Sequence, residues 1–122
     1  ARAMGFDPLI PSNNYDSGDV KNAAANLAGK VGVSIDLHTR IGAAWSNGRE
    51  TAFAKAIKVE PKTLTGAGDS WDAADILGYL AGFDAMERLM FSNAYVSLYM
   101  RNPLAEPASI KDVLDMLERI DI

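Results

Sequence analysis

Cysteine is absent from this chain, and histidine occurs once. Without cysteine there is no disulfide framework and no thiolate nucleophile, and a single histidine cannot build a multi-histidine metal site. Any chemistry rests on carboxylates, hydroxyls and backbone groups, with no protein-held metal expected. No apolar run approaches the ~20 residues that cross a bilayer, and the N-terminus has no signal-peptide pattern. The expectation is therefore no membrane partner and a cytoplasmic location. Positive charge is scarce as well: 12 Lys and Arg against 16 Asp and Glu leave a net charge of −4. That balance argues against a nucleic-acid partner, while an acidic protein can still hold a phosphate locally. What is present is an ordinary globular composition of 122 residues, 48% of them hydrophobic, enough for one core. Residues 1–122 are expected to form one domain or part of one; the opening at Ala1 rather than methionine suggests processing, an expression fragment or the tail of a longer polypeptide.

Along the chain, Pro8-Leu9-Ile10-Pro11 leads into a polar, turn-rich connector from Ser12 to Gly18. Ser17 or Asp19 can cap a helix whose Val20, Ala23, Ala24, Leu27 and Ala28 keep the helical period, with Gly29 as its stop. Apolar and polar residues alternate from Gly32 to His38, and Gly42 to Gly48 offers a second strand ending in an Asn-Gly turn that implies an antiparallel return. Thr51 to Glu60 supplies one or two further short strands before Pro61. Beyond residue 66 the pattern is helical. Ala73, Ile76, Leu77, Leu80 and Ala81 share a face, and Gly82 closes that helix. Asp84 and Glu87 form a capping-box start for a long helix ending at Asn102-Pro103. A last helix opens at Ser109 with Asp112 and presents Ile110, Val113, Leu114, Leu117 and Ile120. The inventory is α/β, short strands followed by three helices, without internal repeats.

Thr65-Gly66-Ala67-Gly68-Asp69 is the segment richest in chemical content. Two glycines around one alanine leave the backbone bare where a helix begins, so several N–H groups can converge on an anion. The aspartate that closes the run is placed to deprotonate a hydroxyl as it attacks a phosphoryl group. Other polar residues have plainer readings. His38 fits a structural role at a strand end, and Asp72 and Asp75 fit solvated carboxylates favoured by the helix dipole better than a metal cluster. Trp45 and Trp71 fit packing groups.

The strand-rich stretch, the Thr-Gly-Ala-Gly-Asp run, Gly78-Tyr79-Leu80-Ala81-Gly82 one helix later, Ser92-Asn93-Ala94 and the Ser-x-x-Asp-Val-Leu start of the last helix together resemble the C-terminal part of the ribokinase-like (PfkB) carbohydrate kinases. The resemblance runs from about residue 30 to the end. It implies the C-terminal part of a three-layer α/β/α fold and a phosphotransferase activity toward a sugar, sugar phosphate or nucleoside hydroxyl. It also implies an anion hole at Gly66, Ala67 and Gly68, Asp69 as general base, and nucleotide contacts at Thr39, Arg40, Gly42 and Asn93. Asn93 has a competing reading as a polar residue satisfied within its own helix packing. The implied cofactor is Mg2+ with ATP or ADP.

Two departures matter. Thr63-Leu64 stand where the family pattern reads Asp-Thr, the acidic position being associated with a monovalent cation, which leaves cation activation open. The family's Thr-x-Gly-x-x-Gly turn is poorly kept over 36–42, which leaves the donor open between ATP and ADP and makes Arg40 a candidate for a different phosphate contact. The N-terminal half that carries most acceptor contacts in the family lies outside these residues. The isolated chain is therefore expected to lack an acceptor pocket, to show open sheet edges and an uncovered apolar face, and to need either that missing half or a homo-oligomer partner. The alternatives are a noncatalytic nucleotide-binding module and a purely structural α/β unit.

Overall fold

A computed structural model describes residues 14–119. The elements run α1 (Ser17–Val31), β1 (Ile35–Thr39), β2 (Gly42–Ser46), β3 (Thr51–Lys55), α2 (Ala67–Leu80), α3 (Ala85–Arg101) and α4 (Ile110–Arg119). The strands form one antiparallel sheet in the order β1-β2-β3. The proline-rich opening and Ile120, both read from the sequence, lie outside the described residues.

The sheet is covered on both faces, which explains the small residues of β2. Ala44 packs with Val20 and Ala24 of α1, and its neighbour Ala43 points the other way, to Trp71 of α2 and to Leu89 and Val96 of α3. Alternation along one strand thus feeds two separate cores. Behind α3, a further cluster joins Ala74, Phe91 and Ala94 to Val113 of α4. The expected α/β/α layering is present.

β1 and β2 meet through the two-residue turn Arg40-Ile41, with Thr39 opposite Gly42. Thr39 Oγ1 donates to the Gly42 carbonyl at 2.8 Å and accepts from the Ile41 N–H at 3.3 Å. At Gly42 a Cβ would stand 2.5 Å from the Ala54 carbonyl, so close strand packing itself demands glycine. The β2–β3 connection holds the Asn-Gly pair and returns antiparallel, as expected. It spans four residues, 47–50, because Asn47 Oδ1 accepts from the N–H groups of Arg49 and Glu50 at 2.9 and 2.7 Å.

Several boundaries differ from the sequence reading. Asp16, rather than Ser17 or Asp19, caps α1, and Asp19 completes a capping box. Gly29 does not stop that helix; the chain turns left-handed at Gly32, φ +74°, and α1 ends there. β1 consequently starts at Ile35 instead of Gly32, β2 ends at Ser46, and 51–60 contains one strand. α3 matches its expected start, with Asp84 and Glu87 capping reciprocally, and its end at Asn102. In α4, Val113 is buried with Met116 and Leu117 beside it, whereas Ile110 and Leu114 face solvent. The largest difference concerns α2: its buried side is Trp71, Ala74 and Gly78, and the apolar face read from the sequence is exposed.

Candidate active site

The extended segment after β3 reaches α2 by fastening itself to the end of α3. The Lys62 and Thr63 N–H groups both donate to the Met100 carbonyl, at 2.6 and 2.9 Å. Thr63 Oγ1 donates to the Asn102 carbonyl at 2.8 Å, and the Tyr99 hydroxyl donates to the Thr65 carbonyl at 2.7 Å. Gly66 then makes the corner into the helix in the left-handed region, φ +83°. A Cβ there would also lie 2.8 Å from the Tyr99 hydroxyl, so glycine is required on two counts.

This helix start differs from the others. α1 and α3 begin with capping boxes and α4 with Ser109, whose hydroxyl accepts from the Asp112 N–H at 3.1 Å; the Gly66 cap of α2 offers no side chain. The first-turn N–H groups at Gly68 and Asp69 take no hydrogen bond among the described residues. Gly68 has helical φ, and among the described residues nothing stands within 4 Å of where its Cβ would be. No packing among the described residues demands glycine there, although it costs a helix about 0.5–1 kcal/mol relative to alanine. Open space over bare backbone suits the close approach of an anion. Asp69 is exposed one residue further on, with no hydrogen bond or ion pair among the described residues.

Beneath this turn sits a polar joint. Trp71 is buried, its Nε1–H donates to Asn93 Oδ1 at 2.9 Å, and Asn93 Nδ2 donates to the Ala54 and Lys55 carbonyls at 3.0 and 3.1 Å. The Asn93 amide is thereby committed on both ends, tying α2 and α3 to β3. These bonds are the local satisfaction that the competing reading of Asn93 describes. His38 stacks on Trp71 with ring centroids 4.8 Å apart and planes 4° from parallel. Burial lowers its pKa against the opposing pull of Asp72, so the imidazole is held neutral in a structural position.

The stack also sets position. His38 adjoins Thr39, and Trp71 follows Asp69 by two residues, so the β1–β2 turn lies at the same end of the sheet as the start of α2. Thr39 is engaged within its own hairpin, Gly42 is closed off by Phe53 and Ala54, and the Arg40 guanidinium lies 5.1 Å from the Tyr15 ring centroid.

A charged cluster that the sequence did not reveal joins β1, α2 and α3. Arg88 grips Asp36 through Nε and Nη2, each at 3.1 Å, and its Nε lies 3.5 Å from Asp75 Oδ1, an oxygen without a hydrogen bond among the described residues. Burial first, and then the Asp36 carboxyl beside it, push the Asp75 pKa up to about 7. The contact with Asp36 in turn raises that of Arg88. Arg88 and Asp36 stand 52 residues apart, and no local spacing signals such a pair. Asp69, Asp72 and Asp75 therefore face different surroundings, and no group of three metal-type ligands occurs among the described residues. A cavity of about 710 Å3 lies apart from the Gly66–Asp69 turn, between 57–59, the end of α3 and α4; Lys58, Arg101 and Arg119 oppose Glu106, Asp112 and Asp115 around it.

No protein-family model and no curated protein sequence matches the chain. Solved structures do. A proposed ribokinase II of E. coli, in complex with ATP and Mg2+, matches with a TM-score of 0.72 at 22% identity, over 89% of this chain and 35% of that one. Ribokinase of Thermotoga maritima matches at 0.70 and 17% identity, over 81% and 34%. Phosphofructokinase-2 of E. coli, in complex with substrates and products, matches at 0.71 and 20% identity, over 85% and 34%. The chain thus spans about a third of the length of these proteins. At that extent, consistent with a C-terminal portion, the chain has the fold of the ribokinase-like (PfkB) kinases.

Proposed function

We propose that this chain is the phosphoryl-handling part of a ribokinase-like phosphotransferase, with a nucleotide as donor and a hydroxyl of a sugar, sugar phosphate or nucleoside as acceptor. The observation that carries the reading is the start of α2: uncapped N–H groups, open space over Gly68 and an exposed carboxylate at Asp69 within one turn. In the proposed step the acceptor oxygen attacks the terminal phosphorus and its proton passes to Asp69, while the bond to the leaving phosphate breaks and the shortened nucleotide departs. Gly66, Ala67 and Gly68 supply oriented backbone dipoles for the charge on the transferring oxygens, stabilisation that needs no reorganisation during reaction. Support also comes from the neighbours, one of which was solved with ATP and Mg2+ and another with its substrates and products.

Mg2+ fits as a cation carried on the nucleotide phosphates, where it would neutralise charge; the described residues offer no group of three metal-type ligands to cage it. At the position where the family pattern has an acid, Thr63 spends its hydroxyl on the Asn102 carbonyl, so a monovalent-cation requirement is not part of the proposal. Thr39 and Arg40, at the same end of the sheet, are the proposed further contacts to the nucleotide.

The test is Asp69→Asn in an assembly that shows kinase turnover. A general base contributes ~10²–10⁴-fold, so kcat should fall by at least ~10²-fold while nucleotide affinity holds. Turnover near the parent level would remove Asp69 from the role of base. Retained nucleotide binding with no transfer in the parent protein would instead favour the noncatalytic module.

A further inference from the structure

The cavity of about 710 Å3 between residues 57–59, the end of α3, the α3–α4 loop and α4 falls within the ~300–1,000 Å3 that small-molecule sites take. Its floor is apolar: Ile57, Leu98 and Met116 pack on the buried cluster of Ala74, Phe91, Ala94 and Val113. Its rim is charged. Lys58, Arg101 and Arg119 stand there with Glu106, Asp112 and Asp115. Among the described residues no two of these six form an ion pair with each other, and Asp115 instead meets Lys111, outside the lining, at 3.6 Å. The cavity therefore keeps opposite charges apart.

The loop that carries Glu106 is held in place by its own backbone. The Leu104 N–H donates to Asn102 Oδ1 at 2.9 Å and the Ala105 N–H to the Asn102 carbonyl at 3.1 Å. Ala105 is the one non-glycine among the described residues in the left-handed region, φ +53°, a pose that persists where the surroundings fix it. Along α4 the sign of the rim changes. Asp112, Asp115 and Arg119 follow at helical spacing and share a face, and Asp112 and Arg119 lie about 10 Å apart along the axis.

A lining with as many acids as cations disfavours a bare anion or a bare cation and suits a molecule that carries both charges. We infer that this cavity is a binding site for a small zwitterion of the ω-amino-acid class. Its ammonium sits between Glu106 and Asp112, its methylene chain lies on Ile57, Leu98 and Met116, and its carboxylate meets Arg119, whose guanidinium takes two oxygens at once. Phosphoryl transfer makes no use of this cavity, so the site stands apart from that reading.

The probes are 6-aminohexanoate, which carries both charges, and hexanoate and hexylamine, which carry one each. In an amide-resolved NMR titration of this chain up to ~50 mM, 6-aminohexanoate should give saturable shifts around residues 57–59, 106–108 and 112–119. Each single-charge probe should bind at least about threefold more weakly. Arg119→Gln should weaken 6-aminohexanoate to the level of hexylamine and leave hexylamine itself unchanged; Asp112→Asn should do the same with hexanoate as the unaffected probe. Both side chains are exposed, and the comparison of probes in the parent chain stands without either variant. No saturable shift at the cavity, equal affinity for the three probes, or folded variants that keep the parent's affinities overturn the inference. The amides of Gly66–Asp69 report the phosphoryl site separately, so a failure there leaves the zwitterion result intact.

Discussion

Gly66 and Gly68 stand two residues apart and are glycine for different reasons. Gly66 is forced by φ +83° and by the Tyr99 hydroxyl, whereas Gly68 has helical φ and, among the described residues, open space where a Cβ would stand. Gly66→Ala should cost ~1–2 kcal/mol of stability in urea denaturation, since a side chain in the left-handed region is strained even before the contact with Tyr99. Gly68→Ala should stabilise the fold by ~0.5–1 kcal/mol and weaken phosphate or nucleotide binding at the same time. A Gly68→Ala protein that is more stable and binds equally well would show that the open backbone serves no ligand. The run itself was legible in the sequence because its parts are adjacent. The joint beneath it was not: the helical period puts Asn93 on a packed face but cannot show that Trp71, 22 residues earlier, claims its oxygen. The same limit hid Asp36 and Arg88, each of which looks like an ordinary surface charge until the strand and helix are brought together.

Among the elements, helix starts were the most readable feature where a capping box announces them, as Asp84 and Glu87 do for α3. Helix ends were less so, because glycine stops a helix only where the chain turns left-handed. Gly32 does this at φ +74°, and Gly29 is simply an exposed interior residue of α1 with free space around it. Gly29→Ala should therefore stabilise the chain by about 0.5–1 kcal/mol, read as a raised Tm or denaturation midpoint. An unchanged or lowered midpoint would mean that α1 frays before residue 29. α2 shows the converse limit of periodicity. Its apolar residues were correctly grouped on one side, but amphipathic spacing identifies a face to be covered and says nothing of which polypeptide covers it. Trp71, Ala74 and Gly78 won the inward side because Trp71 fills the space over Ala43 and Ala54.

In the molecule as a whole, the Asp36–Arg88–Asp75 cluster crosslinks the sheet to both inner helices, and it gives stability a distinctive pH dependence. The Asp75 carboxyl titrates near about 7 in the folded chain against an ordinary 3.8, so the unfolded chain releases this proton first as pH rises. Its contribution is fully present below pH 3.8 and is lost progressively up to about 7. His38 acts in the opposite direction: its pKa is lowered from 6.5, so its contribution is present above that value and lost as pH falls through it. Asp75→Asn should flatten the decline between pH 4 and 7 and raise stability at pH 8 by ~1–2 kcal/mol, measured by urea denaturation across that range. A variant with the parent's pH profile would place the titrating group elsewhere. The α/β class was legible from the order of strands and helices, whereas the three-layer arrangement was what the family resemblance implied. The resemblance already put the N-terminal half of the fold outside these residues, and the solved structures, matched over 34–35% of their own length, are consistent with that.

The most direct measurement is an amide-resolved NMR titration of this chain with inorganic phosphate and with Mg-ADP up to ~10 mM, a range that reaches weak single-anion sites. If the start of α2 is a phosphoryl site, the largest shifts will fall on Gly66, Ala67, Gly68 and Asp69, and Gly68→Ala will diminish them. Unmoved amides across Gly66–Asp69, or shifts confined to the cavity beside α4, would contradict it.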